Sequence, residues 1–328
     1  MDGVSEPAGP AVLVARTDAW RASAREAAAG PGPAALVLGI AQDAGYPQAG
    51  CSGDCCQPAW LDPSRRRHAA ALALIDDRDR EAGVRRWLID ATPDLREQLH
   101  LLDAAWPPSA RLAAPALDGI FLTHAHIGHY PGLWQLGPEA MAARGVPVYA
   151  MPRMAAFLKG NLPWSALLEG GHLRLEPLAA DWPVALAADL SVTPLPLPHR
   201  DEHSETVGFL VRGPRRRLLY LPDIDGWEAW EARGERIEDW LAEVDLALVD
   251  GTFFDADELP GRDLSRIPHP TVAATLRRLA DLPAELRARL RFTHLNHSNP
   301  MLRPGSGARR RVIAAGFGLA EEGQVHPL

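Results

Sequence analysis

The sequence lacks the features that mark membrane-spanning, secreted and nucleic-acid-binding proteins. No run approaches the roughly 18 consecutive apolar residues that a membrane span needs. The N-terminal stretch, residues 1–33, is interrupted by proline and glycine and has no basic region before an apolar one, unlike a secretory signal. The net charge of -8 argues against general affinity for nucleic acid, which needs clustered positive charge. We therefore expect a cytoplasmic protein with neither a membrane nor a nucleic-acid partner.

Length and composition are those of an ordinary globular chain. The 328 residues are 47% hydrophobic and 23% charged, which provides enough apolar material for a sizeable core. Residues 1–33 are predicted to form an N-terminal segment with a strand at 11–15, a helix at 17–29 and a connector rich in proline and glycine. The remaining residues, 34–328, are predicted to form a single domain.

From residue 34 onward, short apolar runs alternate with amphipathic segments. The runs are typical of strands, and helical patterns appear at residues 93–102, 129–144, 227–243 and 269–279. Several runs end directly before a residue capable of chemistry. This pattern predicts an α/β fold, in which two mixed sheets pack face to face with helices outside as an αββα sandwich. It also places the functional groups at one rim of the sandwich.

The most informative segment is Thr123-His124-Ala125-His126-Ile127-Gly128-His129, which follows the apolar run 117–122. His124 and His126 are two positions apart, so their rings point to the same side of an extended backbone. Gly128 lets the chain turn before His129. Because neutral imidazole is a strong metal ligand, three histidines in six residues indicate a metal site rather than a solvated loop.

Further candidate ligands follow later predicted strands. His199, Asp223 and His294 each come at the end of an apolar run. Imidazole and carboxylate ligands together suit zinc, iron or manganese better than a soft copper site. An aspartate that lies between two groups of histidines, as Asp223 does, can bridge two ions. Asp225 is predicted instead to cap the helix that begins at Trp227.

These motifs, in this order, resemble the ligand motifs of the metallo-β-lactamase-fold superfamily over nearly everything from residue 34 onward. The resemblance implies two neighbouring metal ions that share one bridging carboxylate. The first ion would be held by His124, His126 and His199, the second by His129 and His294, and both by Asp223.

One position departs from the family pattern. The motif His-x-His-x-Asp-His has an aspartate where this chain has Gly128. The substitution removes a carboxylate from the second ion and leaves His129, Asp223 and His294. We therefore expect either a single-ion site or a weaker second site.

All three cysteines lie within six residues, as Cys51, Cys55 and Cys56. A disulfide is disfavoured in the cytoplasm, where clustered cysteines more often bind metal. A structural zinc ion needs four protein ligands, and His297 is the candidate for the fourth. The layout resembles the branch of the superfamily that includes the carbon–phosphorus-lyase-pathway phosphodiesterase and pyrroloquinoline quinone (PQQ) biosynthesis protein B, in which such a cluster binds zinc. Adjacent Cys55 and Cys56 depart from the spacing of that branch. Two alternatives therefore stay open: one of these cysteines does not bind the ion, or the thiols bind no metal at all.

The ligands and the resemblance together predict a metal-dependent hydrolase. A metal-bound hydroxide would attack a small ester, phosphodiester or peptide-like substrate. Zinc is the expected ion at the catalytic site and at the structural cysteine site, and iron or manganese is the alternative at the catalytic site. Asp223 and His269 are the predicted catalytic residues. His269 resembles the extra catalytic histidine of the phosphodiesterase branch, and the alternative is a packed or helix-capping histidine. Asp43, on the loop after the first main strand, is expected to line the pocket. The sequence also allows the protein to form a homodimer.

Two other functions remain open from the sequence. The PQQ pathway protein is regarded as an iron-dependent hydroxylase, so the resemblance also allows an oxygenase in cofactor or modified-peptide biosynthesis. A non-catalytic metal-binding protein is the third reading, because Gly128 removes a ligand. Compared with that pathway protein, this chain keeps the first-motif histidines and the carboxylate of Asp223. That difference favours hydrolysis.

Overall fold

The structure is a computed structural model that describes residues 32–79, 83–107, 117–259 and 267–328. The strand predicted at residues 11–15 and the helix predicted at 17–29 lie outside the described residues. The division of the chain into a segment at 1–33 and one domain at 34–328 stays a prediction. Within the described residues, none of the helices combines the length and the apolar character needed to cross a membrane.

Strands form the centre of the fold, and most are buried on both faces, which explains their nearly continuous apolar sequences. Over the described ranges they are β1 (Ala34–Gly39), β2 (Ala71–Asp76), β3 (Arg85–Ile89), β4 (Gly119–Phe121), β5 (Val146–Ala150), β6 (Leu173–Pro177), β7 (Val184–Ala187), β8 (Leu190–Pro196), β9 (Val207–Arg212), β10 (Arg217–Leu221), β11 (Leu246–Asp250), β12 (Leu290–Thr293), β13 (Gly318–Leu319) and β14 (Val325–Pro327).

The strands form two mixed sheets of seven strands each. The first has the order β14-β1-β2-β3-β4-β5-β6 and the second the order β13-β12-β11-β10-β9-β8-β7. Strands β3 to β6 run parallel in the first sheet, and β10 to β13 run parallel in the second. The other neighbouring pairs are antiparallel. The carboxyl ends of the parallel strands in each sheet therefore meet at one edge.

The two sheets pack face to face, because alternate residues of a strand point to opposite faces of its sheet. Ala35 and Val37 of β1 share an apolar cluster with Phe209 and Tyr220 of the second sheet. Leu36, between them, points the other way into a separate cluster with the helix at residues 95–105. A third cluster joins the outer face of the second sheet to its own helices. The four layers confirm the predicted αββα sandwich.

Short helices cover the outer faces of the sheets. In the described part of the chain they are α1 (Gln57–Leu61), α2 (Leu95–Ala105), α3 (Pro152–Gly160), α4 (Trp164–Glu169), α5 (Trp227–Glu231), α6 (Ile237–Glu243), α7 (Val272–Arg278), α8 (Ala284–Arg287) and α9 (Gly307–Ala314). Short 3-10 helices lie at Pro63–Arg65, Pro131–Leu136 and Pro300–Leu302. The helices predicted at 93–102 and 269–279 correspond to α2 and α7.

Two predicted helices differ from the structure for local reasons. The helix predicted at 129–144 is wrong, since only the 3-10 turn Pro131–Leu136 forms there. Gly137 has an extended backbone (φ -71°, ψ 174°), because the proline that follows disfavours a helical residue before it. The helix predicted at 227–243 is divided into α5 and α6, and Gly234 lies between them with φ 93°, outside the helical region.

Backbone hydrogen bonds join loops of the two sheets at one rim. The amide of Val207 donates to the carbonyl of Thr123 at 3.1 Å, which ties β9 to the segment after β4. The amide of Leu295 donates to Ile40 O at 2.8 Å, and the amide of Gln42 donates to Leu295 O at 2.8 Å. The histidine-rich segment is therefore held against β9, and the chain just after β1 is held against the residues after β12.

Candidate metal centre

The structure brings four of the predicted ligands together at this rim. We call His124, His126, His199 and Asp223 the first ligand group, and one ligand atom from each lies within 4.8 Å of all the others. Nε2 of His199 is 3.1 Å from Nδ1 of His126, and Nε2 of His124 is 3.4 Å from Oδ2 of Asp223. Ligands bound about 2.1 Å from a tetrahedral zinc ion are separated by about 3.4 Å. The first ligand group therefore has the dimensions of a site for one small cation.

A second ligand group lies beside the first and shares Asp223 with it. Its members are Asp43, His129, Asp223 and His294, again with one ligand atom each within 4.8 Å of the others. Oδ2 of Asp223 is 3.1 Å from Nε2 of His129 and 3.4 Å from Nε2 of His294. Asp223 therefore lies between the two groups, where a carboxylate can contact two cations at once.

Four buried polar atoms at the centre have no hydrogen-bond partner among the described residues. They are Nε2 of His124, Nε2 of His129, Nε2 of His294 and Oδ1 of Asp43. Leaving one buried polar atom unpaired costs about 1–3 kcal/mol, and four such atoms directed at one small space would be strongly destabilising. Cations bound in the two ligand groups would satisfy all four, so the side chains fit metal ions.

In four of the five imidazole rings, the nitrogen that faces away from the centre has its own hydrogen-bond partner. Such contacts fix the ring orientation and make the inward nitrogen a better ligand. They are Thr123 Oγ1 with His124 Nδ1 at 3.0 Å, Asp90 Oδ2 with His129 Nδ1 at 2.7 Å, Asp225 Oδ1 with His199 Nδ1 at 3.0 Å, and Thr252 Oγ1 with His294 Nδ1 at 3.0 Å. Both ligand groups are therefore held in place by a surrounding layer of hydrogen bonds.

Asp225 belongs to this surrounding layer, and its predicted role as a helix cap is wrong. Helix α5 begins after Gly226, and no side chain caps it. The carboxylate of Asp225 contacts His199 instead, because the outward nitrogen of that buried ring needs an acceptor once Nε2 faces the centre.

Two residues of the centre have left-handed backbone conformations that residues other than glycine rarely adopt. Asp90 has φ 71° and His294 has φ 57°. Such conformations cost of order 1–3 kcal/mol and persist where the surrounding structure holds them, often at functional sites. Asp90 is held by its contacts with Thr123 and His129. The strain therefore coincides with the groups that orient the ligands.

The two carboxylates of the second ligand group remain ionised. Burial acts to raise the pKa of Asp223, but electrostatic interactions with His294 and the other surrounding imidazoles outweigh burial and hold that pKa well below its usual value. Burial likewise opposes the ionised form of Asp43, and interactions with His129 and His294 outweigh it and lower that pKa. Two carboxylates supply the negative charge that balances one divalent cation.

The first two histidines of the motif are held in the form that binds metal. Burial lowers the pKa of His124 well below its usual value, and burial lowers the pKa of His126 to about 4. Both rings are therefore neutral at pH 7, and a metal-binding imidazole must be neutral.

His269 lies against the centre and is paired with a buried carboxylate. Its Nδ1 is 2.7 Å from Oδ2 of Asp250 and 3.5 Å from Oδ1 of Asp223. Burial disfavours the charged ring, but the negative charge of Asp250 outweighs burial and raises the pKa of His269 to about 9. His269 therefore carries a proton at neutral pH, next to the bridging carboxylate. The capping role at helix α7 falls to Thr271, whose side chain accepts from the amide of Ala274.

The three cysteines and His297 form a separate group, in which all four ligand atoms lie within 4.8 Å of one another. Sγ of Cys51 is 3.5 Å from Sγ of Cys55, and Nδ1 of His297 is 3.3 Å from Sγ of Cys56 and 3.7 Å from Sγ of Cys55. Thiolates about 2.3 Å from a tetrahedral zinc ion are separated by about 3.8 Å, so these distances fit zinc. Burial raises the pKa of Cys56 to about 12, and a thiolate there needs a compensating cation. Adjacent Cys55 and Cys56 both reach the group.

Sequence reasoning missed the membership of Asp43 in the second ligand group. It placed Asp43 on the pocket wall, because no motif surrounds this residue. The available signal was its position shortly after a buried strand, which is also where the histidines and Asp223 occur.

Comparisons with known proteins agree with the fold and the motifs. The family described as beta-lactamase superfamily domain matches residues 85–295. Coenzyme PQQ synthesis protein B of Xanthomonas campestris pv. campestris (strain B100) is 28% identical over 309 residues, which cover 88% of this chain and 97% of that protein.

Solved structures with similar folds also agree with the architecture described above. Zinc-bound PqqB from Methylobacterium extorquens superimposes with a TM-score of 0.72 and 25% identity, over 90% of this chain and 100% of that one. A diphosphatase from the PhnP family superimposes with a TM-score of 0.60 and 21% identity, over 90% and 97% of the two chains, which shows the shared fold. Because the family match covers more than half of the sequence, the chain belongs to the beta-lactamase superfamily, and within that superfamily it is similar to PQQ synthesis protein B.

Proposed function

We propose that this protein is a metal-dependent hydrolase. The observation that carries the proposal is the pair of ligand groups that share Asp223, with four inward atoms that are buried and otherwise unpaired. A divalent cation bound there lowers the pKa of a water ligand from about 15.7 to about 7 and stabilises negative charge that develops on the substrate. Zinc is our first choice of cation, and the zinc reported for the similar PqqB supports it.

The residues of the chain supply position, charge and a proton. The outward ring nitrogens are tied to Thr123, Asp90, Asp225 and Thr252, so the ligands are already oriented before a cation binds. Asp223 places one negative charge between the two ligand groups. The preorganised ligands therefore need little rearrangement during the reaction.

His269 is the proposed proton donor for the leaving group. Its Nδ1 is held by Asp250, so the proton on Nε2 is the one available for transfer. The ring is charged at neutral pH because its pKa is raised to about 9. A positioned acid of this kind contributes about 10²–10⁴-fold to the rate.

We infer a small ester, phosphodiester or peptide-like molecule as the substrate. Ile127, between the metal-binding histidines in sequence, is 59% exposed and offers an apolar surface. Arg200, directly after His199, is exposed, and its charge acts on His126. This pairing of an apolar and a cationic side chain suits a substrate that carries both an apolar part and a negative charge.

Hydrolysis of generic substrates tests the proposal. Protein loaded with zinc or manganese would be assayed with bis(4-nitrophenyl) phosphate and 4-nitrophenyl acetate, and then compared with His124→Ala and Asp223→Ala. We expect each variant to lose at least about a hundredfold in kcat/KM, with the exposed His203→Ala as the matched control. Equal hydrolysis by the variants and the parent protein would rule the proposal out.

The relatives favour a second candidate function. Proteins named coenzyme PQQ synthesis protein B match across nearly the whole chain, so a role in PQQ or modified-peptide biosynthesis, including an iron-dependent oxygenase reaction, is the alternative. Oxygen uptake by protein loaded with ferrous iron, measured with peptides that contain tyrosine, separates the two. Restoration of PQQ production in a bacterium that lacks its own protein B would place the chain in that pathway.

A further inference from the structure

The space beside Gly128 that a side chain at this position would take is already filled by another residue. A Cβ atom added to Gly128 would lie 2.1 Å from Oδ1 and 2.4 Å from Cα of Asp43. Real Cβ contacts are essentially never shorter than 3.0 Å, so no other residue fits unless Asp43 moves, backbone included. Asp43 therefore fills the volume that a side chain at position 128 would occupy.

The carboxylate of Asp43 is directed at the second ligand group. Its Oδ1 lies 3.4 Å from Nε2 of His129 and 3.8 Å from Nε2 of His294. These three atoms are all buried, and none has a hydrogen-bond partner within the described ranges. Three inward atoms at such distances form one face of a coordination site, to which Asp223 adds a fourth.

The backbone fixes Asp43 in this position. Its neighbour Gln42 donates to Leu295 O at 2.8 Å, and Leu295 donates to Ile40 O at 2.8 Å. Leu295 directly follows His294, so the two segments are joined next to their ligand residues. The amide of Gly45 donates to Gln42 O at 2.8 Å and closes a turn around Asp43. Asp43 is therefore placed by main-chain hydrogen bonds rather than by a flexible side chain alone.

We propose that Asp43 is the carboxylate ligand of a second divalent cation and replaces the aspartate that the superfamily motif has at position 128. The centre then holds two cations, the second bound by His129, His294, Asp43 and the shared Asp223. This proposal differs from the expectation of a single-ion or weakened second site, which counted only three ligands. The proposed ligand role of Asp43 depends on Gly128, because the Asp43 carboxylate can lie at the second ligand group only when position 128 has no side chain.

The inference adds a cation to the proposed hydrolase centre, and it can be tested without measuring turnover. A titration with manganese reports only the cation sites of the two ligand groups, because the thiolates of the cysteine group prefer zinc. Protein with zinc in the cysteine group would be titrated with Mn²⁺ by calorimetry, and paramagnetic resonance would distinguish coupled pairs from single ions. Asp43→Asn keeps the size of the side chain and removes its charge, and the exposed Asp201→Asn is the matched control.

We expect two manganese ions per chain, magnetically coupled, in the parent protein and in Asp201→Asn. Asp43→Asn should bind one ion normally and the second more than about a hundredfold more weakly, with an uncoupled six-line spectrum. Retained zinc in the cysteine group verifies that the variant is folded. Two tightly bound ions in Asp43→Asn, or only one in the parent protein, would overturn the inference. Two bound ions without any hydrolysis would leave it standing and refute the proposed function instead.

Discussion

Oδ2 of Asp250 lies 2.7 Å from Nδ1 of His269, and this contact controls the charge of the imidazole. The amides of Ile224 and Thr252 donate to the same carboxylate at 3.1 Å and 2.9 Å, so its position is fixed. Asp250 is the last residue of strand β11. The carboxylate acts on the reaction through the ring and does not belong to either ligand group.

Replacement of this carboxylate should change the pH dependence of the enzyme. Asp250→Asn keeps the shape and removes the negative charge that raises the pKa of His269 to about 9. The pKa of the ring then falls, so the proton donor is lost at a lower pH. We expect the alkaline limb of the kcat/KM profile to move to lower pH, with about a 10–100-fold loss at pH 8. The exposed Asp281→Asn is the control, and an unchanged alkaline limb would contradict the assigned role of His269.

The cysteine group should stabilise the fold through a zinc ion. His297 and Cys56 lie 241 positions apart in the sequence, so a shared ion ties the loop after β1 to the loop after β12. Cys56→Ser should lose one zinc ion per chain and lower Tm by at least about 5 °C. Metal analysis and calorimetry measure the two effects.

Ser52→Ala, in the same loop and exposed, provides the control for Cys56→Ser. If Cys56→Ser keeps its zinc and its Tm, the three cysteines do not form a structural site.

Local sequence patterns predicted the parts of the site that depend on a single segment. Asp223 and His294, which the sequence placed at the ends of apolar runs, lie just after strands β10 and β12. The motif from His124 to His129 needed no long-range information, because spacing along one strand and turn determines which way the rings point. These features could be found from the sequence for that reason.

The parts that sequence reasoning missed depend on contacts between distant segments. Asp43 meets His294 only because Gln42 and Leu295 are hydrogen-bonded, and these residues lie far apart in the sequence. Asp225 has the spacing of a helix cap, but the nearby His199 ring takes its carboxylate. No local pattern reports either contact.

Gly128 should tolerate no side chain. Gly128→Ala places Cβ 2.1 Å from Oδ1 and 2.4 Å from Cα of Asp43, so the backbone of the turn must shift. We expect the free energy of unfolding to fall by about 1–3 kcal/mol and the second manganese ion to be lost. Chemical denaturation and the manganese titration measure these effects.

Gly160→Ala is the matched control for Gly128→Ala, since nothing lies within 4 Å of a Cβ atom at that position in helix α3. It should be neutral or slightly stabilising, because alanine is a better helix former than glycine. If Gly128→Ala behaves like this control, Asp43 has more freedom than the proposed ligand role allows.

Glu258 should make the stability of the protein depend on pH. Oε1 accepts from Ser298 Oγ at 2.5 Å and Oε2 accepts from the amide of Phe254 at 2.6 Å. Burial raises the pKa of Glu258 from 4.5 to about 7, and the charge of Asp255 adds to the effect. The folded state therefore holds the proton more tightly than the unfolded state, so stability is fully present below about pH 4.5 and is lost as pH rises through 7. Glu258→Gln stays neutral and removes this loss.

Thermal unfolding at pH 5 and pH 8 in saturating zinc measures the effect. The fall in Tm between the two pH values should be smaller by a few degrees in Glu258→Gln than in the parent protein. The exposed Glu169→Gln, at the end of helix α4, should show the full fall. An equal fall in all three proteins would mean that Glu258 is already ionised in the folded state at pH 5, so that its pKa is not raised.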